Sequence, residues 1–209
     1  TDAWDSMLCS NIEMYYFGLV GISTCAVCGG ADADYTGNHL ISQNQSGSLN
    51  AGFVHLSEGV DQSSKDEFDA LYEKGLIMDE TVVIHGPGMD QAQFNQMATT
   101  GAGLVWSPFS NLVLYGDTTD VVAADNAGIT ISIAPDWGPS GTKNNLHELK
   151  VADMWNREIL ENHFTDYELV EMVTSNAAEI SNWDGFVGQI QEGLYLSLIH
   201  ISEPTRLAS

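Results

Sequence analysis

The chain has 209 residues, and 44% of them are hydrophobic, a composition typical of a globular protein and not of a disordered one. It carries 29 acidic residues against 6 basic ones, a formal net charge of −23. Such a surface repels phosphate backbones, so we expect no nucleic-acid partner. No run of about 18 apolar residues occurs, and the sequence therefore predicts no membrane span.

The two ends of the chain differ from its middle. Residues 1–5 show no start methionine, basic region or apolar signal core, as expected for a piece from within a longer protein. Residues 196–209 do not continue the pattern before them and resemble translated adapter sequence, so we expect a non-native tail. We therefore expect a shortened N-terminal barrel piece at residues 1–50 and half of a β/α barrel at residues 51–195.

The N-terminal piece is only weakly patterned. Residues 7–20 carry apolar residues at helical spacing and predict a helix that Gly21 ends. Ile22–Val27 predicts a short strand that contains the first cysteine of a Cys-x-x-Cys pair, for which no second pair exists to complete a zinc knuckle. Residues 31–50 are rich in Gly, Ser, Asn and Gln and predict a loop that is long for a compact domain.

From residue 52 onward, apolar strands alternate with helical patterns. The predicted strands are Gly52–Leu56, Thr81–His85, Leu104–Ser107 and Ile129–Ala134. The predicted helices are about Ser63–Lys74 (capped by Ser63 or Ser64 and closed by Gly75), Asp90–Thr99, Thr119–Asn126, Asn145–Leu160 and Asp166–Ile180. The predicted loops include Pro108–Asp117 and Pro135–Lys143. This alternation predicts an α/β fold, a parallel sheet with helices outside it. A whole TIM (β/α)8 barrel needs roughly 250 residues, so we predict a partial barrel.

Ionisable residues stand where the predicted strands end. His55, His85 and Asp136 would meet at one mouth of a barrel if their strands are neighbours. Imidazoles and a carboxylate from separate strands suit a catalytic zinc site, and iron or manganese can use the same ligands. A metal there would lower the pKa of a bound water toward ~7. Glu58 could carry a proton from that water to a leaving group.

Several stretches together resemble one family. Residues 52–195 are similar to the C-terminal half of enzymes of the amidohydrolase superfamily, in particular its cytosine deaminase and chlorohydrolase branch. The resemblance is carried by His55-Leu-Ser-Glu58, Val82-Val-Ile-His85, Ser107-Pro-Phe-Ser-Asn-Leu-Val-Leu114, Pro135-Asp136, Asn144-Asn-Leu-His-Glu-Leu149, Thr174-Ser-Asn-Ala-Ala178 and Gly188-Gln-Ile-Gln-Glu-Gly193. It implies that the strands after residue 51 are roughly strands five to eight of the barrel.

The resemblance also implies roles for individual residues. It makes His55 a metal ligand, Asp136 a ligand and proton acceptor, and Glu58 the general acid and base. It makes His85 a group that orients the attacking water or the substrate, or that binds a metal as in two-metal relatives. The expected substrate-binding residues are Ser107, Ser110, Asn111 and Trp137, the last standing where many relatives have glycine.

Two departures from the family pattern bear on activity. The family's first strand carries His-x-His, and no His-x-His occurs in this sequence; His39 is isolated, while His147 and His163 fall on or beside helices and are expected at the surface. The segment between the first predicted strand and Gly52 is also too short for the two β/α units of the family. Two protein ligands are fewer than the three of most catalytic zinc sites, so we expect this chain alone to be inactive.

Three functions remain open at this point. The first is a metal-dependent hydrolase that cleaves non-peptide C–N bonds in cyclic amidines or amides, by ring hydrolysis or deamination, with a metal-activated hydroxide. The second is a non-catalytic remnant of the same barrel that binds a small molecule or a partner. The third is an unrelated α/β binding domain with structural histidines. A small-molecule substrate is the expected partner of the hydrolase, and an oligomer is compatible with the sequence.

Overall fold

A computed structural model of the chain describes residues 12–16 and 40–195. Its centre is a sheet of five parallel strands in the order β1-β2-β3-β4-β5. The strands are β1 Ile12–Tyr16, β2 Ala51–Leu56, β3 Thr81–His85, β4 Gly103–Trp106 and β5 Ile131–Ile133. Because sequence neighbours are also neighbours in the sheet, all the strands end at the same edge, as the predicted partial barrel requires. The predicted α/β fold is confirmed.

Seven helices follow the strands from β2 onward within the described residues. They are α1 Gln62–Glu73, α2 Gln91–Ala98, α3 Pro108–Tyr115, α4 Val121–Asn126, α5 Asn145–Glu158, α6 Asp166–Met172 and α7 Ser175–Glu179. Residues 40–45 are also helical. None of the helices in this part of the chain has the length and apolar character of a membrane span.

The main core lies between the sheet and these helices. Phe68 of α1, Phe94 of α2 and Trp106 of β4 are fully buried there, and truncating such an aromatic side chain to alanine costs about 3–5 kcal/mol. A smaller cluster on the other face of the sheet joins Val82 to Ile180. Strands buried on both faces explain the nearly continuous apolar runs in the sequence.

Capping side chains set the helix starts. The predicted capping box of Thr165 and Glu168 at the start of α6 is confirmed. At α1 the predicted cap is wrong: Asp61, not Ser63 or Ser64, accepts from the Ser64 backbone N–H, so the helix begins earlier. A carboxylate at this position satisfies a backbone donor that has no partner inside the helix.

Four secondary-structure predictions are wrong in part. Residues 7–20 do not form one helix, because Ile12–Tyr16, with an isoleucine and two tyrosines, is a strand. Residues 40–45, within the predicted loop 31–50, are helical. The predicted loop Pro108–Asp117 is mostly helix, because Pro108 stands at the first turn and Gly116, at φ +73°, ends the helix in the left-handed conformation. The predicted helix Asp166–Ile180 is broken between α6 and α7 at Val173 and Thr174.

Some predictions fall on other parts of the chain. The strand at residues 22–27, the Cys-x-x-Cys pair and the tail at residues 196–209 lie outside the described residues, as does His39.

Candidate functional site

His55 and His85 lie side by side at the carboxyl edge of the sheet. The register pairs Leu56, the last residue of β2, with His85, the last residue of β3, so His55 lies one residue before the end of the neighbouring strand. Their ring centroids are 5.3 Å apart. The predicted neighbourhood of the two imidazoles therefore exists in the folded chain.

The backbone of His85 turns its side chain toward the site. Along β3, Val82 and Ile84 face the smaller cluster together with Ala51 and Phe53 of β2, and a regular pleat would place His85 on the opposite face from His55. His85 instead has φ +76°, a conformation that is uncommon for a residue with a Cβ. The break in the pleat brings the His85 ring beside His55.

Asp136 completes a group of three potential metal ligands. It follows β5, and one ligand atom each from His55, His85 and Asp136 lie within 4.8 Å of one another. The Asp136 carboxylate also accepts hydrogen bonds from the Trp137 backbone N–H and the Ser140 hydroxyl, each at 2.7 Å. Such outer contacts hold a ligating carboxylate in one orientation.

The donor set fits a divalent metal ion. Two imidazoles and one carboxylate are ligands that zinc prefers. The Nε2 atom of His85 is buried and has no hydrogen-bond partner, and such an atom calls for an explanation by a bound group or a reacting partner. The chemistry and placement of these residues therefore suit a metal site at the predicted position.

Glu58 lies beside His85. The Ser57 residue before it has φ +52°, which turns the chain sharply after β2. One oxygen of the Glu58 carboxylate lies 3.5 Å from His85 Nε2 and accepts a hydrogen bond of 2.9 Å from the Tyr115 hydroxyl. Burial raises the pKa of Glu58; the Tyr115 hydrogen bond opposes the rise, and the nearby Asp136 adds to it. A carboxyl group with a raised pKa beside potential metal ligands suits a role in proton transfer.

His85 is almost completely buried. Its side chain is 1% exposed, and burial lowers the pKa of the imidazole to about 4, although Asp136 acts in the opposite direction and His55 in the same one. The ring is therefore neutral at pH 7. Its Nδ1 atom lies 3.1 Å from the Asn111 side-chain nitrogen, and its backbone carbonyl accepts a hydrogen bond of 2.6 Å from Thr119.

The residues predicted to bind substrate fall into two groups. Ser107, Ser110 and Asn111 are buried: the Ser107 hydroxyl donates to the Ala134 carbonyl and the Ser110 hydroxyl to the Ser107 carbonyl. These contacts connect the start of α3 to the end of β5. Trp137 is 71% exposed and follows Asp136 directly. Contact of these residues with a substrate stays a prediction.

Sequence reasoning missed two residues near the site, the hydrogen-bond donor Tyr115 and the hydrogen-bond acceptor Glu148. Tyr115 was hidden in the segment predicted as a loop; helical spacing would have placed it one turn after Asn111 on the same face. Glu148 of α5 is fully buried and accepts from the Phe109 backbone N–H at 2.8 Å and from the Thr142 hydroxyl at 2.6 Å. Its position within a stretch matching the family motif was the available signal.

The remaining described histidines lie outside the group of three. His147 and His163 are exposed, as predicted, and His163 pairs with Asp125 at 2.8 Å.

The chain is similar to part of several known proteins. No family model matches the chain. Among curated proteins, the chain is 27% identical over 162 residues to a 5-methylthioadenosine/S-adenosylhomocysteine deaminase of Symbiobacterium thermophilum, covering 71% of this chain and 37% of that protein. It is 28% identical over 135 residues to the deaminase of the same name from Haloarcula marismortui, covering 62% and 31%. The chain thus spans about a third of the length of these relatives.

Solved structures show the same fold. An adenosine deaminase from Xanthomonas campestris with bound zinc matches with a TM-score of 0.68 and 18% identity, covering 77% of this chain and 39% of that one. A zinc complex of atrazine chlorohydrolase from Arthrobacter aurescens matches with a TM-score of 0.67 and 17% identity, covering 79% and 38%. The resemblance predicted from the sequence, to part of the barrel of such proteins, is confirmed.

Proposed function

We propose that this chain, which resembles part of the deaminases and chlorohydrolases of the amidohydrolase superfamily, carries the metal-binding half of a hydrolase site. The reaction would be hydrolysis of a non-peptide C–N bond in a small cyclic amidine or amide. The observation that carries the proposal is the convergence of His55, His85 and Asp136 within 4.8 Å, with Glu58 beside them. The four side chains come from three separate strand ends, as a site at the mouth of a barrel requires.

The metal would be held chiefly by His55 and Asp136, with His85 facing the same space. Zinc suits this mixed nitrogen and oxygen set, and iron or manganese can replace it. When bound, such an ion acts as a Lewis acid and makes a water molecule acidic near neutral pH. The hydrogen bonds from the Trp137 backbone and Ser140 orient the Asp136 carboxylate for this task.

Glu58 would move the proton. Its carboxylate takes a proton from the attacking water, whose oxygen forms the new bond to carbon, and delivers it to the nitrogen whose bond to carbon breaks. The raised pKa of Glu58 makes its carboxylate a stronger proton acceptor than an exposed one. Tyr115 holds the carboxylate in place by its hydrogen bond.

The curated relatives support a narrower substrate class. Both are named as deaminases of 5-methylthioadenosine and S-adenosylhomocysteine, in which the bond broken joins an exocyclic amino group to a purine ring. We therefore infer deamination of an adenine-type ring as the reaction of the whole protein, and ammonia as its product.

The first test is zinc binding by the purified chain. We expect zinc to bind with an affinity that falls sharply in His55→Ala and Asp136→Ala, measured by competition with a chromophoric chelator. Ammonia release from S-adenosylhomocysteine and 5-methylthioadenosine by the whole protein, compared between the wild type and Glu58→Gln, then tests the chemistry. Absence of zinc binding, or ammonia release that persists in Glu58→Gln, would contradict the proposal.

A further inference from the structure

We propose that Asn111 is a positioning residue that fixes the tautomer of His85, so that the Nε2–H of the imidazole faces the site as a hydrogen-bond donor. Only the purpose of this donor rests on the proposed function; the tautomer itself does not. Asn111 Nδ2 lies 3.1 Å from His85 Nδ1, and both residues are buried. A neutral imidazole carries one proton, so the group that faces Nδ1 decides which nitrogen presents its proton to the site.

The orientation of the Asn111 amide follows from a chain of donors that starts at Trp106. The indole Nε1–H can only donate, and it lies 2.8 Å from Thr118 Oγ1, which therefore accepts. The hydroxyl proton of Thr118 then has Asn111 Oδ1, at 3.3 Å, as its acceptor.

The opposite amide orientation would leave a buried donor without a partner. With the Asn111 amide turned over, the Thr118 hydroxyl proton would face an NH2 group and would have no other acceptor among the described residues. Leaving such a buried group unsatisfied costs about 1–3 kcal/mol. Thr119 does not change this conclusion, because its single hydroxyl proton is used in the shorter contact of 2.6 Å to the His85 carbonyl.

The other side of the imidazole leads to the same tautomer. His85 Nε2 has no hydrogen-bond partner and lies 3.5 Å from an oxygen of the Glu58 carboxylate. A lone pair on Nε2 would face the negative oxygen and be repelled, whereas an N–H is attracted. Both neighbours of the ring therefore favour a proton on Nε2.

With this tautomer, His55 and His85 have different roles in the site. An Nε2–H of His85 cannot coordinate a metal ion, because its lone pair is used by the proton. His85 would instead donate a hydrogen bond to the attacking water or to the substrate beside Glu58, and among the described residues His55 and Asp136 would remain as the metal ligands.

The test is a two-bond ¹H–¹⁵N correlation spectrum of the metal-free, ¹⁵N-labelled chain at neutral pH, with the His85 ring assigned through its own backbone. We expect the nitrogen shifts of a ring protonated at Nε2 and unprotonated at Nδ1. In Asn111→Asp the carboxylate can only accept, so Nδ1 becomes a proton-bearing nitrogen. Asn95→Asp makes the same change on an exposed surface and should leave the spectrum of His85 unchanged.

Two results of this experiment would contradict the proposal. A wild-type ring protonated at Nδ1 would overturn it, and so would an Asn111→Asp spectrum identical to that of the wild type. The spectrum needs neither zinc nor catalysis, so a chain that binds no zinc refutes the proposed function and leaves this measurement intact. A merely structural Asn111 would change stability without moving the ring proton from one nitrogen to the other.

Discussion

His85 Nε2 and an oxygen of Glu58 lie 3.5 Å apart, although His85 ends β3 and Glu58 follows β2. Burial acts on both groups against their charged forms: it lowers the pKa of His85 to about 4 and raises that of Glu58. At neutral pH the imidazole is therefore neutral, and the Glu58 carboxylate binds a proton more readily than an exposed one. Such a pair suits proton exchange with a small molecule bound beside it.

Removal of a predicted ligand should weaken zinc binding. Loss of outer-shell contacts alone typically costs about 10- to 100-fold in metal affinity, and loss of a ligand atom should cost at least as much. We expect this loss in His55→Ala and in Asp136→Asn, measured by chelator competition. His163→Asn is the matched control, because His163 pairs with Asp125 outside the group of three. Equal zinc affinity in the wild type and both ligand variants would refute the site.

Loss of the Tyr115 hydroxyl should raise the pKa of Glu58 further. The Tyr115 hydrogen bond opposes the effect of burial on this carboxyl group, so in Tyr115→Phe burial acts unopposed. A ¹³C NMR titration of the Glu58 carboxyl carbon should show its midpoint at higher pH in the variant. Tyr167→Phe, at a residue that is 72% exposed, should leave the midpoint unchanged. A midpoint that stays fixed or falls in Tyr115→Phe would show that the hydrogen bond does not tune Glu58.

The sequence predicted the strand ends well because apolar, β-branched runs followed by a polar residue are a strong local signal. It therefore placed His55, His85 and Asp136 at one edge of the sheet. It did not predict the direction of the His85 side chain. That direction depends on a backbone φ of +76°, which a histidine at the end of a strand does not indicate. The contact between Asn111 and His85 was not predicted either. The sequence predicts a loop at Pro108, whereas Pro108 starts the helix that carries Asn111.

Glu67 should make the stability of the chain depend on pH. This carboxyl group is buried, accepts from the Ser57 backbone N–H at 3.0 Å and has a pKa raised to about 7, chiefly by burial. Because the pKa in the folded state lies above that in the unfolded state, the group's contribution is complete below the unfolded pKa and is lost as the pH rises through about 7.

Glu67→Gln should remove this dependence, since its amide oxygen can still accept from Ser57 and carries no charge. Between pH 5 and pH 8, the free energy of unfolding of the wild type should fall by about 2 kcal/mol relative to that of the variant. Urea unfolding at several pH values measures the difference. Glu73→Gln changes an exposed residue of the same helix and should run parallel to the wild type. Parallel curves for Glu67→Gln as well would contradict the raised pKa.

Gly103 should tolerate no larger side chain because Ile180 covers it. A Cβ at Gly103, at the start of β4, would lie 2.5 Å from Cγ2 of Ile180, which follows α7 and closes the amino end of the sheet. We expect Gly103→Ala to lower the free energy of unfolding by about 1–3 kcal/mol, the usual cost of overpacking. Gly52→Ala on β2 is the matched control, since its Cβ would meet its nearest neighbour at 3.8 Å.

The double variant Gly103→Ala/Ile180→Ala separates a clash from a backbone effect. If the Cβ clashes with Ile180, truncating Ile180 removes the clash. The loss of unfolding free energy in the double variant, measured by urea unfolding, should then be smaller than the sum of the two single-variant losses by at least about 0.5 kcal/mol. If Gly103→Ala acts only through the strand backbone, the losses should be additive. Additive losses would mean that a Cβ at residue 103 does not meet Ile180, and the close approach of Ile180 to Gly103 at the amino end of the sheet, opposite the candidate metal site, would then be wrong.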